Sequence, residues 1–193
     1  MSYEMPFITD LNKDGFYDGV SNYFKSDANV EVYINNGDGT ITRQQIPITD
    51  TSHFADKERF TISAVADMNN DGYSDLIIQK NAQSILIALN NKNETFDEVK
   101  EIILPMDLYK VEIGNIFDFD NNGFLDIALY SSQNASILYF YNDLETKMMN
   151  FGDNRYNYDG IGRYKAALQI DLNGDGIPDF IDTDYGNYTY LRN

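Results

Sequence analysis

Two residue types that build most transition-metal sites are nearly absent from this sequence. Its 193 residues include no cysteine and a single histidine, His53. The chain therefore forms no disulfide, and repeated metal sites of the sulfur or imidazole kind are excluded. A lone histidine without a partnered nucleophile does not predict a catalytic site, so we interpret His53 as an exposed loop residue.

Long apolar runs and positive charge are also scarce. No segment reaches the roughly 18 consecutive apolar residues that a membrane-spanning helix needs, so the sequence predicts no membrane span. Only 14 Lys and Arg residues accompany 31 Asp and Glu residues, which gives a formal net charge of −17. A surface this acidic repels polyanions, which argues against nucleic acid as a partner.

Many of the acidic residues belong to one loop motif that occurs four times. Its pattern is Asp-x-(Asn/Asp)-x-(Asp/Asn)-Gly-x-x-Asp, and we number its positions 1 to 9. Loops one to four are Asp10–Asp18, Asp67–Asp75, Asp118–Asp126 and Asp171–Asp179. Their first aspartates lie 57, 51 and 53 residues apart, and this regularity indicates a duplicated supersecondary unit.

The chemistry of this loop suits a hard cation. Side-chain oxygens at positions 1, 3 and 5, the backbone carbonyl at position 7 and the carboxylate at position 9 can surround one Ca²⁺. The glycine at position 6 permits the sharp turn that brings them together. The sequence therefore predicts four Ca²⁺ per chain. The candidate ligands are Asp10, Asn12, Asp14, Phe16, Asp18, Asp67, Asn69, Asp71, Tyr73, Asp75, Asp118, Asp120, Asn122, Phe124, Asp126, Asp171, Asn173, Asp175, Ile177 and Asp179.

A helical calcium hand begins with a similar string of residues. That loop needs a bidentate Glu at position 12 and an amphipathic helix on each side. Position 12 is occupied here by Ser21, Ile78, Leu129 and Asp182. The helical interpretation therefore fails at an essential ligand.

The segments around the loops have the pattern of β-strands. Phe60–Ala66 before loop two and Tyr164–Ile170 before loop four are apolar at every second residue. After each loop come a short apolar run and then a second apolar run. The second run is followed within a residue or two by an asparagine: Asn35, Asn90, Asn142 and Asn193. In the first repeat this asparagine opens Asn35–Thr40, a strong hairpin signal.

We expect four antiparallel strands in each repeat of roughly 50 residues, which is the size of a propeller blade. The predicted fold is all-β and β-propeller-like, with four blade units and a calcium loop between the first two strands of each. We expect one repeat domain over residues 1–193, with approximate repeat boundaries at 1–56, 57–107, 108–162 and 163–193.

The last repeat is predicted to be incomplete, because the sequence ends at Asn193 after its third strand. A sheet edge is normally paired or covered. We therefore expect a three-stranded last blade, self-association through that edge, or a larger parent chain.

The combination of an apolar strand, the acidic loop, a second apolar strand and Asn35–Thr40 resembles the FG-GAP/VCBS repeats of bacterial secreted proteins. These repeats are similar to the calcium-binding blades of integrin α-subunit propellers. The resemblance covers nearly the whole chain. Repeat three departs slightly, with Asp120 at position 3 and Asn122 at position 5, which exchanges two ligands of the same kind.

The resemblance implies a calcium-stabilised module that binds a protein or a glycan and is not an enzyme. The alternative is a lectin or a non-catalytic domain of a polysaccharide-active enzyme, and the sequence nominates no acid or base outside the loops for catalysis. Extracellular calcium modules bind Ca²⁺ in the ~10⁻⁴ to 10⁻³ M range, which cytosolic calcium does not fill. We therefore expect an extracellular, cell-surface or periplasmic location.

Overall fold

The computed structural model describes residues 6–25, 27–54, 59–81, 84–93, 95–104, 111–131, 136–143, 148–157, 168–170, 174, 179–184 and 187–191. The predicted all-β class is confirmed, because these residues form strands and turns and no helix. They divide into two compact units, Met1–Leu104 and Pro105–Asn193. The described part of the chain contains no helical segment with the length and hydropathy that a membrane span requires.

The described residues of the first compact unit form nine strands in two antiparallel sheets. They are β1 (Phe7–Thr9), β2 (Asp18–Val20), β3 (Tyr23–Lys25), β4 (Asn29–Asn35), β5 (Ile41–Pro47), β6 (Arg59–Ala66), β7 (Asp75–Asn81), β8 (Ser84–Asn90) and β9 (Phe96–Ile103). Sheet I has the strand order β1-β2-β4-β5, and sheet II has the order β3-β6-β7-β8-β9.

The second compact unit holds seven described strands, again in two antiparallel sheets. They are β10 (Val111–Phe117), β11 (Asp126–Ser131), β12 (Ser136–Asp143), β13 (Met148–Asn157), β14 (Leu168–Ile170), β15 (Asp179–Asp184) and β16 (Asn187–Leu191). Sheet III has the order β10-β11-β12-β13, and sheet IV has the order β14-β15-β16.

The hydrophobic core of the first compact unit explains its strand pattern. Branched side chains of β4 and β7, among them Val30, Val32 and Ile78, are fully buried in it. Branched side chains favour the pleated, packed surface of a sheet. Three phenylalanines join this core: Phe24 stacks on Phe60 with ring centroids 5.3 Å apart, and Phe54 meets Phe60 edge-on at 4.8 Å.

The short strand β3 was not predicted. It lies between β2 and β4 in sequence, yet it pairs with β6 at the edge of sheet II, with Phe24 opposite Phe60. The backbone N–H of Ile62 also donates to the carbonyl of Asn22 (2.8 Å). Sheet II therefore has five strands, because β3 of the first repeat pairs with a strand of the second repeat.

A β-bulge changes which residues of β6 face the core. The register of β6 against β7 shifts between Ile62 and Ala64, so the strict alternation expected through Ala66 is wrong beyond Ile62. Val65 packs against the core instead. A bulge adds one residue to a strand and reverses the faces that follow it. The register of β10 against β11 shifts at the corresponding place, between Ile113 and Asn115.

Candidate metal centre

Loops one, two and three each connect two neighbouring antiparallel strands, as the sequence predicts. They join β1 to β2, β6 to β7, and β10 to β11. Each loop starts at an aspartate one residue beyond the first strand and ends at an aspartate that begins the second. The nine residues of each motif are thereby held at both ends by antiparallel pairing.

The loops share an unusual backbone conformation. Position 4 is in the left-handed region in all four loops: Lys13 (φ 63°), Asn70 (φ 56°), Asn121 (φ 59°) and Gly174 (φ 77°). Position 6 has a positive φ at Gly15 (92°), Gly72 (90°) and Gly123 (91°). Residues other than glycine rarely adopt such angles. The motif thus specifies its backbone through position 6, whereas position 4 tolerates lysine and asparagine.

Side chains at positions 1, 3 and 5 fold inward and accept hydrogen bonds from the loop's own backbone. The N–H of position 6 donates to the carboxylate of Asp10 (3.1 Å), Asp67 (2.7 Å) or Asp118 (2.7 Å). The N–H of position 5 donates to the oxygen at position 3, and the N–H of position 7 to the oxygen at position 5, at 2.8–3.1 Å in all three loops. The side-chain oxygens at three of the predicted ligand positions are therefore held by the backbone of each loop.

The aspartate at position 9 has a second role that the sequence did not reveal. Asp18, Asp75 and Asp126 are almost fully buried. One carboxylate oxygen of each accepts the N–H of position 2, at 3.0, 2.8 and 2.8 Å. The other accepts the N–H of the hairpin asparagine at the last or next-to-last position of β4, β8 and β12 (Asn35, Asn90 and Asn142), at 2.9, 2.9 and 2.7 Å. The recurrence of this asparagine in the sequence was the available signal.

Burial changes the acidity of two of these carboxyl groups. Desolvation raises the pKa of Asp75 to about 7, and the nearby charges of Asp71 and Asp67 add to the effect, while backbone hydrogen bonds oppose it. Desolvation likewise raises the pKa of Asp126 to about 6. A buried carboxylate of this kind is stabilised by a nearby cation.

Loop three brings carboxylates from three positions together. Oxygen atoms of Asp118, Asp120 and Asp126 lie within 4.8 Å of one another. Hard divalent cations take several oxygen ligands of this type. This cluster could therefore hold a metal ion. Loops one and two also carry three carboxylates, at positions 1, 5 and 9, but among the described residues these do not form such a group.

Loop one contains an oxygen that needs a partner. Asp10 Oδ1 is buried, and no hydrogen-bond donor among the described residues reaches it. A buried acceptor without a partner costs free energy unless a donor or a cation satisfies it. The unpaired oxygen lies at position 1, a predicted ligand position, so the residues present fit a bound divalent cation.

Loops one and two lie side by side in the first compact unit. The hydroxyls of Thr9 and Ser74 are 2.6 Å apart, and the Asn90 side chain donates to the carbonyl of Leu11 (3.4 Å). In loop two, Lys92 Nζ lies 3.3 Å from Asp71 Oδ2 at position 5. A cation of the chain itself therefore contacts one predicted ligand of this loop.

Loop four lies mostly outside the described residues, and so do its candidate ligands Asp171, Asn173, Asp175 and Ile177. Asp179 is described as the first residue of β15, where it pairs with Ile170. Only Gly174 represents the loop itself, with the left-handed backbone of position 4.

His53 is not the exposed residue that the sequence suggested. Its side chain is 25% exposed, and its Nδ1 lies 3.1 Å from Oε2 of Glu101. Lys80 Nζ contacts the other oxygen of Glu101 at 2.9 Å. His53 thus lies against the Lys80–Glu101 ion pair of sheet II.

Comparison with known proteins supports the repeat seen in these loops. The sequence profile of the FG-GAP-like repeat matches residues 10–78 and again residues 67–129. Integrin alpha-4 of Xenopus laevis is 22% identical over 147 residues, which cover 67% of this chain and 14% of the integrin. The chain thus spans about a seventh of the length of that relative. The matched residues include loops one, two and three, and more than half of the chain, and this chain belongs to the FG-GAP-like repeat family.

Proposed function

We propose that this chain is a calcium-stabilised β-propeller module that binds a protein or a carbohydrate and has no catalytic activity. One observation carries the proposal: the same inward hydrogen-bonding pattern recurs in loops one to three, on side chains that Ca²⁺ prefers as ligands. Because the pattern is repeated, it is a property of the fold and not of one loop.

The oxygens at positions 1, 3, 5 and 9, with the carbonyl at position 7, would hold one ion in each of the four loops. The ion would supply positive charge to a site in which several carboxylates otherwise repel one another. Asp10 would offer its unpaired Oδ1 to the ion. Both oxygens of Asp67 and of Asp118 already accept backbone N–H groups, so these residues would bind the ion through a remaining lone pair. Four bound Ca²⁺ would reduce the formal net charge from −17 to −9.

The four sheets support the proposed architecture. Each of the repeats 1–56, 57–107, 108–162 and 163–193 supplies a sheet whose leading strands flank an acidic loop, as blades of a single propeller domain do. The strand β3 adds a fifth strand to the second blade.

The proposed calcium sites favour a location outside the cytosol, because such sites need a high calcium concentration. Calcium modules of this class bind in the ~10⁻⁴ to 10⁻³ M range, which the extracellular fluid or the periplasm can supply. The family resemblance to integrin propellers supports a binding or adhesion role. Function is a property of sites and not of folds, so the ligand must be argued from a surface.

Calcium counting by native mass spectrometry, together with thermal melts, tests this proposal. We expect four Ca²⁺ per chain and a melting temperature that falls on addition of excess EDTA. At a calcium concentration ten times Kd, each site adds about 1.4 kcal/mol to the free energy of unfolding. Mg²⁺ at the same concentration is the control, because it prefers a small octahedral site. A calcium-loaded protein whose melt ignores EDTA would contradict the proposal.

A further inference from the structure

Sheet I has one face that differs from the equivalent faces of the later repeats. In sheet I, Gly19 of β2 lies opposite Tyr33 of β4, and the N–H of Ser21 donates to the carbonyl of Glu31 (2.9 Å). The equivalent pairs of the later repeats lie the same number of residues after the position 9 aspartate and before the hairpin asparagine. They are Leu76–Ala88 and Ile78–Leu86 in sheet II, and Ile127–Phe140 and Leu129–Leu138 in sheet III.

The side chains at these four positions differ in chemistry between sheet I and sheets II and III. The face is entirely aliphatic or aromatic in sheets II and III, and Leu76, Leu86 and Ile127 on it are completely buried. In sheet I the same four places hold glycine, serine, glutamate and tyrosine. An apolar sheet face packs against another apolar face. This face of sheet I has few apolar side chains for such packing.

A cavity of about 570 Å³ lies on this face of sheet I. Gly19 forms part of its lining, where the later repeats have leucine and isoleucine. The backbone does not require glycine here, because Gly19 is not among the residues with a positive φ. A Cβ on Gly19 would lie in van der Waals contact with Tyr33, at 3.4 Å, and a larger side chain would reduce the cavity that Gly19 lines.

The cavity combines exposed apolar groups with an oriented polar pair. Tyr17 is 72% exposed and Ile41 is 69% exposed, which is unusual for such large side chains. The Tyr33 hydroxyl donates to one oxygen of Glu31, and the Arg43 guanidinium donates to the other. These hydrogen bonds lower the pKa of Glu31, with the bond from Arg43 as the largest cause, so the carboxylate is fixed and charged.

We propose that this cavity binds a neutral saccharide, with Tyr17, Tyr23 and Tyr33 contacting the sugar rings and Glu31, which Arg43 orients, contacting hydroxyls. The inference deepens the proposed binding function and rests on it. Tyrosine offers an apolar ring face with a polar tip, which suits the mixed surface of a pyranose. Ligand cavities typically combine apolar walls with a few placed polar groups, as this one does.

The charges of the site favour a neutral ligand. Glu31 is already paired with Arg43, and the other acidic residue of the lining, Asp18, is buried and is a predicted calcium ligand, so the calcium-loaded cavity offers no exposed unpaired carboxylate to an organic cation. The formal net charge, −17 without calcium and −9 with four bound Ca²⁺, opposes the approach of acidic polysaccharides. A second protein sheet is disfavoured as well, because packing would remove the Glu31–Arg43 pair from water at a cost in free energy.

Isothermal titration of the calcium-loaded full chain with cellohexaose, chitohexaose and maltohexaose tests the inference. We expect at least one of these neutral hexasaccharides to bind at millimolar concentration or below. Gly19→Leu, which restores the residue of repeat two, should weaken that binding at least about tenfold, or by 1.4 kcal/mol. Tyr33→Ala should do the same without adding volume. Ile103→Ala, on a 71% exposed side chain of β9, is the matched control and should bind like the unaltered chain.

Several outcomes would overturn the inference. One is that none of the three sugars binds, and another is that both Gly19→Leu and Tyr33→Ala leave binding intact. A third is stronger binding of choline, as a cationic probe, or of polygalacturonate, as an acidic polysaccharide. If Gly19→Leu does not fold, Tyr33→Ala decides alone. Calcium stoichiometry measured on the same samples separates the two proposals. A chain that loads calcium but binds no neutral sugar refutes only the saccharide site.

Discussion

Asp75 Oδ1 accepts a hydrogen bond from the backbone N–H of Asn90, 15 residues further along the chain, at 2.9 Å. Its other oxygen accepts the N–H of Met68 at 2.8 Å. One carboxylate thus fastens both the start of loop two and the end of β8. A predicted metal ligand is also a structural link between strands.

Asp75→Ala should therefore destabilise the protein with and without calcium. Two buried N–H groups lose their acceptor, at about 1–3 kcal/mol each, and relief of the buried charge offsets part of this cost. Asp67→Ala is the control, because the N–H groups it releases, on Asp71 and Gly72, are part-buried and exposed, whereas those that donate to Asp75 are buried. Its effect should appear mainly in calcium. Urea denaturation in calcium and in EDTA measures both, and equal behaviour of the two variants would contradict the structural role.

Asp67→Ala should also remove one calcium ion from the chain. It deletes the position 1 ligand of loop two, while the other loops keep theirs. Native mass spectrometry should count three ions in this variant and four in the control Asp27→Ala, an acidic residue outside the loops. Four ions bound to Asp67→Ala would show that the ligand assignment is wrong.

Lys92→Met should raise the calcium affinity of loop two. The lysine ammonium lies 3.3 Å from Asp71 Oδ2 and 5.4 Å from the centre of the Tyr73 ring, so it competes for a ligand oxygen. Its side chain is 46% exposed, and exposed pairs are weak, so we expect about a two- to fivefold change.

Amide NMR can measure this effect one loop at a time, because the N–H of position 6 contacts the position 1 carboxylate. Calcium titration followed at Gly72 should respond to Lys92→Met, whereas Gly15 in loop one should not. Lys100→Met is the matched control, since Lys100 lies 3.6 Å from Glu98 and outside the loops. An unchanged titration at Gly72 would show that Lys92 does not compete.

Phe24→Ala should cost about 3–5 kcal/mol of the free energy of unfolding, as truncation of a buried phenylalanine does. Phe24 is 3% exposed and packs on Phe54 and Phe60. The exposed Ile103→Ala should change stability by less than about 0.5 kcal/mol. Chemical denaturation compares the two. A small loss in Phe24→Ala would mean that β3 is dispensable for sheet II.

The sequence predicted what depends on local chemistry. Loops one to three, their turn glycines and the hairpin at Asn35–Thr40 follow from backbone preferences of a few residues, and the structure places them between strands as expected. The hairpin is closed by the N–H of Asn36 bonding to the carbonyl of Thr40 at 3.1 Å.

The features that sequence reasoning missed depend on partners far along the chain. Tyr23–Lys25 has too few residues to show periodicity, and its place is decided by pairing with Arg59–Thr61. The bulge at Ser63 is decided by the register against β7. The cavity beside Gly19 emerges only when the same positions of successive sheets are compared.

The strand that the first repeat lends to sheet II has a consequence for how such chains can be cut and rearranged. Besides β3 at one edge, the first repeat reaches the last strand of the same sheet, where Ile48 bridges to Phe96 and the N–H of Thr49 donates to the Phe96 carbonyl (2.8 Å). A cut between residues 56 and 57 would follow the sequence repeat, but sheet II would lose both β3 at one edge and the Ile48 bridge at the other. The piece that can be moved intact between proteins is therefore the pair of repeats, and single-repeat swaps should fail even where the motif is preserved.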